Sequence, residues 1–520
     1  MRLIPFLALI FLLTYCQTKQ EQAVSESKDE ILQVHVIPGE LPDPSMIEVD
    51  GVYYATGSSN DWGPLYPIYK STDLIHWDFV SYVFQEIPGW TSSSFWAPEL
   101  YYKDGKFFCF YTAKRKDGVS VIGVAITTDI QKGFEDQGEL LAWGNEAIDA
   151  FVFEEDEQLY VSWKAYGLNP DKPITLIGSK LSEDGLRLEG GSFEMITAEA
   201  ESWEKGGIEG QSIFEKDGYI YMLYSGNACC GAACDYMVGV ARAKSFLGPW
   251  EKFEGNPILS SNENWKCPGH GTALKTGEDW FYLYHAYPAA GFPYLGRSTL
   301  LSQMFWEEGN SWPSFKVSET PAELNSLSSD WTDDFEGEEL SRFWRYDIPA
   351  HQFESSLKDG NLQLTEKERE ESNASGIFLG INPAQADFSM ETTVLTSGEA
   401  MKSISLYATR DKSLGLGVQA GNLILWEVVD GAFEVLHEMN VEETEKIQLR
   451  AEVKDAHIAL FSYSLDGDNW LTVTNQKEQK QEVIGDHLGF WSWGIKAGVS
   501  VKGQSNEATG LFEEFKIEYD

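Results

Sequence analysis

A short polar turn running into an aromatic or aliphatic strand is written five times along this chain. Asp50-Gly51 precedes Val52-Tyr53-Tyr54-Ala55-Thr56, and Asp104-Gly105 precedes Lys106-Phe107-Phe108-Cys109-Phe110-Tyr111. Glu157-Gln158 precedes Leu159-Tyr160-Val161-Ser162-Trp163, Asp217-Gly218 precedes Tyr219 to Tyr224, and Gly277-Glu278 precedes Asp279-Trp280-Phe281-Tyr282-Leu283-Tyr284. Such a turn followed by β-branched and aromatic residues is a hairpin signal. Positions 51, 105, 158, 218 and 277 are separated by 54, 53, 60 and 59 residues. Each interval holds about four short strands, the content of one propeller blade. Two similar phrases, Ser71-Thr72-Asp73-Leu74-Ile75-His76-Trp77 and Ala243-Lys244-Ser245-Phe246-Leu247-Gly248-Pro249-Trp250, fall where blades would end. The pattern predicts an all-β chain with a five-bladed β-propeller over residues 34–316, against the alternative of a β-sandwich with unrelated hairpins.

A propeller brings the first strand of every blade to a central channel, so residues just ahead of those strands should converge. Asp43 lies 8 residues before Gly51, Asp149 lies 9 before Gln158, Glu209 lies 9 before Gly218 and His270 lies 7 before Gly277. The matching stretch of the second repeat is Phe95-Trp96-Ala97-Pro98-Glu99. Each has a plainer reading alone: Asp43-Pro44 as a turn, Asp149 or Glu209 as solvated surface, His270 as a loop residue, Trp96 as core. Their shared phase within the repeat argues instead for one constellation of three carboxylates, a histidine and a tryptophan.

The rest of the chain places this unit. Residues 1–16 read as a targeting segment, with Arg2 ahead of an apolar core from Leu3 to Leu13 that is too short to span a membrane as a helix. Leu13-Thr14-Tyr15-Cys16 resembles a bacterial lipoprotein processing box with Cys16 as the lipidated residue, although Tyr15 stands where a small residue is usual. The expectation is an exported, membrane-anchored lipoprotein with a polar tether over 17–33, or simple secretion. Net charge is −43, from 39 basic and 82 acidic residues. That excludes nucleic acid, whose phosphates would be repelled, and argues against anionic polysaccharides, leaving neutral saccharides as partners. Beyond Cys16 five cysteines remain, so at least one thiol is unpaired. Adjacent Cα atoms stand about 3.8 Å apart, below the usual disulfide range, so a Cys229–Cys230 bridge would be strained. Zinc at Cys229, Cys230, Cys234 and Cys267 is conceivable, but the spacing matches no standard pattern. Residues 317–330 read as a linker. Over 331–520, short alternating runs such as Phe388 to Val394, Ile447 to Val453 and Ile458 to Ser464 predict an antiparallel β-sandwich.

Carboxylates at an aromatic-lined mouth suit glycosidic bond hydrolysis, in which one acid protonates the leaving oxygen and a second carboxylate activates water or attacks carbon. A third can lift the acid's pKa by like-charge repulsion. The motifs Leu41-Pro42-Asp43-Pro44-Ser45, Phe95-Trp96-Ala97-Pro98-Glu99, Ile148-Asp149-Ala150, Gly207-Ile208-Glu209-Gly210 and Pro268-Gly269-His270-Gly271 resemble those of glycoside hydrolase family 43, in family order. The resemblance covers about residues 34–316. It implies an inverting hydrolase with Asp43 as general base, Glu209 as general acid and Asp149 raising and orienting that acid. It further implies substrate contacts from Trp96, Glu99 and Arg297, and a channel role for His270, which in the family often holds a cation or water. Calcium suits a hard, oxygen-lined channel; no organic cofactor is expected. Ile148-Asp149-Ala150 departs from the Arg-Asp-Pro of the invertase and levansucrase relatives, which makes fructans the less favoured substrate. Asp333-Asp334-Phe335, Leu340 to Trp344 and the closing strand resemble the concanavalin-like sandwich fused to many β-xylosidases of the family, where it walls the pocket. Structural support and a sugar-binding role of its own are the other readings. The expected activity is release of β-xylosyl or α-L-arabinofuranosyl units. Endo-arabinanase, another exo-glycosidase and a non-hydrolytic sugar-binding lipoprotein are the alternatives.

Overall fold

A computed structural model describes residues 30–307, 309, 311–317, 330–367, 372–442, 444–474, 479–503 and 507–519. The targeting segment, most of the tether and most of the linker lie outside the described residues. No described helix is long and apolar enough to cross a membrane.

The five repeats form five antiparallel blades. Blade 1 runs Ser45–Val49, Val52–Thr56, Leu65–Ser71 and Asp78–Phe84, and blade 2 runs Thr91–Lys103, Lys106–Arg115, Ser120–Thr127 and Glu135–Leu141. Blade 3 runs Ala147–Glu155, Gln158–Ala165, Thr175–Leu181 and Leu188–Thr197, and blade 4 runs Ile208–Lys216, Tyr219–Gly226, Met237–Ala243 and Glu251–Lys252. Blade 5 takes Trp265–Thr276, Asp279–Pro288 and Ser298–Phe305 from its own repeat. It borrows Val34–Ile37 from the start of the domain, paired antiparallel with Ser298–Phe305. This borrowed strand closes the ring.

Packing follows the same plan, because each blade is apolar on both faces and buries them against its two neighbours. Tyr66, Phe84 and Phe95 cluster with Cys109 and Tyr111 between blades 1 and 2. Phe110 and Val124 meet Val152 and Trp163 between blades 2 and 3, and Phe151 and Tyr160 meet Met222 and Phe246 between blades 3 and 4. Leu223 and Val240 meet Trp280 and Tyr282 between blades 4 and 5. Val36 and Ile37 meet Met46, Ala55, Leu283 and Leu301 between blades 5 and 1. Five interfaces carry five cores.

The backbone repeats at the channel as well. Asp43 (φ 52°), Ala97 (39°), Asp149 (60°), Gly210 (60°) and His270 (39°) all adopt the left-handed conformation. Each lies seven residues ahead of a left-handed turn residue: Asp50, Asp104, Asp156, Asp217 and Gly277. In blades 2 to 5 these residues sit at a shift in strand register, a bulge that re-aims side chains into the channel. Their buried amides find partners on the preceding blade. Ala97 donates to Ser58 Oγ (2.6 Å), Asp149 to Thr112 Oγ1 (3.1 Å), His270 to Ser225 Oγ (2.8 Å) and Asp43 to His285 Nδ1 (3.1 Å). Blade 4 differs: the Gly210 amide faces Asp149 Oδ2 at 3.3 Å.

Residues 331–519 form two antiparallel sheets. One has Phe353–Lys358, Asn361–Glu366, Thr509–Tyr519, Phe388–Leu395, Lys446–Lys454 and Ile458–Ser464 in spatial order, with shorter edge strands. The other has Ile377–Ile381, Lys496–Lys502, Met401–Thr409, Lys412–Gln419, Asn422–Val429 and Ala432–Asn440. Met390, Leu449 and Phe515 from the first share one core with Ile404, Leu416 and Val499 from the second, which makes the unit a sandwich. The sandwich is bound tightly to the propeller. Tyr346 and Asp347 pair with Gly63 and Trp62, and Arg345 donates to the carbonyl of Trp62 at 2.7 Å. Lys496 forms a buried ion pair with Glu40 at 3.0 Å.

Candidate active site

A cavity of about 230 Å³ opens at the propeller mouth, lined by Asp43, Trp96, Asp149, Glu209, His270 and Arg297 among others. The seven-residue phase explains who reaches it. Asp43, Asp149 and His270 occupy the left-handed position of blades 1, 3 and 5, whereas Trp96 and Glu209 come one residue earlier in blades 2 and 4. Gly210 takes the left-handed position in blade 4, and a Cβ there would lie 2.7 Å from His270 Cγ. Glycine therefore seats His270 while its neighbour Glu209 turns into the cavity. Glu99, two residues beyond Ala97, does not line the cavity. Its carboxyl is buried in the channel wall, where it accepts a hydrogen bond from Ser45 Oγ at 2.7 Å.

The three channel carboxyls meet different partners. Asp43 accepts from Arg297 at 2.9 Å and from Ser58 Oγ at 2.5 Å, and His285 Nδ1 stands 3.1 Å from its Oδ1. Burial pushes this carboxyl up, but Arg297 and the neighbouring His285 and His270 hold it well below the usual carboxylate range. Among the described residues no Lys or Arg pairs with Asp149, and His270 Nδ1 stands 3.9 Å away. Burial, opposed by His270 and reinforced by the negative charge of Glu209, pushes Asp149 up to about 7. Glu209 accepts from Lys164 Nζ at 2.7 Å and from Tyr236 OH at 3.0 Å. Burial would raise it, but Lys164 and then His270 and Tyr236 bring it below the ordinary glutamate value. The sequence suggested that Asp149 lifts Glu209. In the resting site the lift falls on Asp149, because of these two carboxyls Lys164 touches Glu209 and not Asp149.

Among the described residues no group of three or more His, Cys, Asp or Glu side chains is arranged to hold a metal ion. His270 faces Asp43 at 3.5 Å and Asp149 at 3.9 Å; Arg297 and Ser58 already take up both oxygens of Asp43, and the Gly210 amide meets Oδ2 of Asp149. These residues do not fit a protein cage for the calcium expected here, and no chemistry is assigned to one. Among the described residues the cysteines form two disulfides, Cys229–Cys230 and Cys234–Cys267, with Cα separations of 3.7 and 6.0 Å, and Cys109 is free and buried. The vicinal pair lines the cavity.

A model of glycosyl hydrolases family 43 matches residues 33–313. The chain belongs to this family. Among the relatives of this glycosidase is a xylan 1,3-β-xylosidase of a Vibrio species, 25% identical over 497 residues that cover 85% of this chain and 90% of that protein. A non-reducing-end α-L-arabinofuranosidase of Bacteroides ovatus is 28% identical over 359 residues, 63% of this chain and 64% of its own length. The crystal structure of a xylan β-1,4-xylosidase from Bacillus halodurans shares the fold, with a TM-score of 0.78 at 20% identity over 94% of this chain and 100% of that one.

Several residues at this cavity had no voice in the repeat. Lys164 is the last residue but one of the strand Gln158–Ala165, opposite Ile148; its only signal was a lone charge inside Val161-Ser162-Trp163-Lys164-Ala165. Tyr236 follows the cysteine loop and stacks on His285 with centroids 5.8 Å apart. Trp491 and Ser492 come from the sandwich. Trp491 meets Trp96 edge-on at 6.1 Å, the Ser492 carbonyl accepts from Arg297 at 3.1 Å, and Ser492 Oγ donates to Asn60 at 2.7 Å. The aromatic run Phe490-Trp491-Ser492-Trp493 could have drawn attention, but nothing local says that it faces another domain.

Proposed function

We propose that this glycosidase removes terminal β-xylosyl or α-L-arabinofuranosyl units from plant-type polysaccharides or their oligosaccharides, with inversion at the anomeric carbon. The observation that carries the reading is the electrostatic division among the three carboxyls. Asp43, held ionised by Arg297, is suited to take a proton from water. The buried Asp149–Glu209 pair retains one proton near neutrality, and Glu209, the more exposed member, is the one suited to deliver it to the leaving oxygen. Trp491 and the Cys229–Cys230 bridge wall the cavity, so a chain end fits better than a polymer threading through, which favours exo action over an endo-arabinanase. Neutral sugars are consistent with the net charge of −43.

The test uses xylobiose, α-1,5-arabinobiose and the matching 2,4-dinitrophenyl glycosides. Glu209→Gln should lose 10²–10⁴-fold in rate, as an order of magnitude, on the disaccharide that the wild type cleaves, yet keep much of its rate on the dinitrophenyl glycoside, whose leaving group needs no proton. Proton NMR of the first product should show the inverted anomer. A retained anomer, or a Glu209→Gln enzyme as fast as wild type on the disaccharide, would sink the reading.

A further inference from the structure

Lys164 stands between two carboxylates, and only one has a place in the reaction above. Its Nζ donates to Glu209 Oε2 at 2.7 Å and lies 3.4 Å from Glu146 Oε1. All three side chains are largely buried, with relative exposures of 13% for Lys164, 18% for Glu209 and 10% for Glu146. Glu146 lies three residues ahead of Asp149 and lines the same cavity. Its Oε1 has no hydrogen-bond partner among the described residues, and the 3.4 Å approach of Lys164 is an ion-pair contact only. Gly167 leaves room for this oxygen, since a Cβ there would stand 2.4 Å from it. A buried, unsatisfied carboxylate oxygen is costly, and an ammonium with three donors can serve two acceptors in turn.

We infer that Lys164 is a positioning residue that governs when the general acid is protonated, by shifting its hydrogen bond between Glu209 and Glu146. This rests on Glu209 being the acid. With Lys164 on Glu209, Glu209 is a carboxylate and the proton of the pair stays on Asp149. When a saccharide enters and Lys164 turns to Glu146, Glu209 loses its cation and takes the proton from Asp149, directly or through water; Asp149 becomes the carboxylate. Glu209 then gives that proton to the leaving oxygen as the glycosidic bond breaks, Lys164 returns, and solvent restores a proton to Asp149. The charged and titratable groups facing Glu209 are Lys164 and Asp149 from blade 3, Tyr236 from blade 4 and His270 from blade 5, with Glu146 behind Lys164.

The inference makes two opposite predictions for the basic limb of kcat/KM against pH, which reports loss of the proton from the pair in the free enzyme. Lys164→Met removes the cation that keeps Glu209 ionised, so the limb should move up by about one pH unit or more. Glu146→Gln leaves Lys164 with Glu209 as its single carboxylate partner, so the limb should move down. Both profiles are measured on the disaccharide the wild type cleaves, with Glu209→Gln alongside. If Lys164→Met does not fold, the downward shift in Glu146→Gln decides by itself. A limb that moves the same way in both variants, or stays in Glu146→Gln, overturns the inference. An active Glu209→Gln enzyme would instead overturn the assignment of the acid, so the two failures are distinguishable.

Discussion

Asp43, Asp149 and Glu209 carry the same functional group, and what separates them is which cation touches which oxygen. Arg297 reaches Asp43 and Lys164 reaches Glu209, while Asp149 keeps only the more distant His270. A pH profile follows. Asp43 stays ionised through the mildly acidic range, and the pair loses its last proton near the value of about 7 at Asp149, so kcat/KM should be flat in mild acid and fall above neutrality. Glu99 offers a stability counterpart. Burial, only partly offset by the Ser45 and Val152 hydrogen bonds, pushes its carboxyl up to about 8. The folded state thus holds a proton that the unfolded chain releases near 4.5. The stability this contributes is fully present below the unfolded pKa and is lost as pH rises through 8. Glu99→Gln, which cannot ionise, should match wild type in Tm near pH 5 and exceed it at pH 9; calorimetry at the two pH values checks this.

At the scale of elements, the loop from Asn227 to Tyr236 connects fold and site. It carries the cavity-lining Cys229–Cys230 pair, donates Gly231 N–H to Tyr287 OH at 3.0 Å, and ends at Tyr236, which holds Glu209. Cys234–Cys267 ties it to the inner strand of blade 5 across 33 residues. By the loop-entropy relation such a bridge contributes about 3–4 kcal/mol. Cys234→Ala with Cys267→Ala should therefore lower Tm by several degrees, and should lower kcat/KM because Tyr236 loses its tether. An unchanged Tm with full activity would show that the loop is held without the bridge, by the Gly231 hydrogen bond and its apolar contacts with Tyr287 and Phe292.

For the whole molecule, the sandwich completes the site. Glu40, just ahead of Asp43, accepts from Lys496 at 3.0 Å and from the Gly494 amide at 3.1 Å. The segment that includes Gly494 also presents Trp491 to the cavity and the Ser492 carbonyl to Arg297. Breaking a buried ion pair by removing one partner costs about 3–5 kcal/mol, because the other charge is left uncompensated. Lys496→Met should lower Tm and raise KM more than it lowers kcat, since the Trp491 wall shifts while the three carboxyls stay on the propeller. A fall in kcat alone would contradict that division.

Much of the propeller and the inner carboxylates was legible in the sequence because blades repeat. A turn and a strand written five times fix the period, and a residue at constant distance from the turn must reach the channel whatever surrounds it. Local order also made Asp43, Asp149 and Glu209 stand out together. What the repeat could not supply was phase to the single residue. Counting from the turn aligned Glu209 with Asp149, whereas the left-handed backbone aligns Gly210 with it, and the same one-step offset separates Trp96 from Ala97, the left-handed residue of its blade. Nor could a linear pattern bring Lys164 from a second strand, Tyr236 from beyond a disulfide loop, or Trp491 and Ser492 from the sandwich to one cavity. Those positions depend on contacts between segments far apart in the chain. Residue types and their order marked the groups able to do chemistry; which carboxyl has a cation beside it follows from contacts between distant segments, and those contacts set the three carboxyls apart.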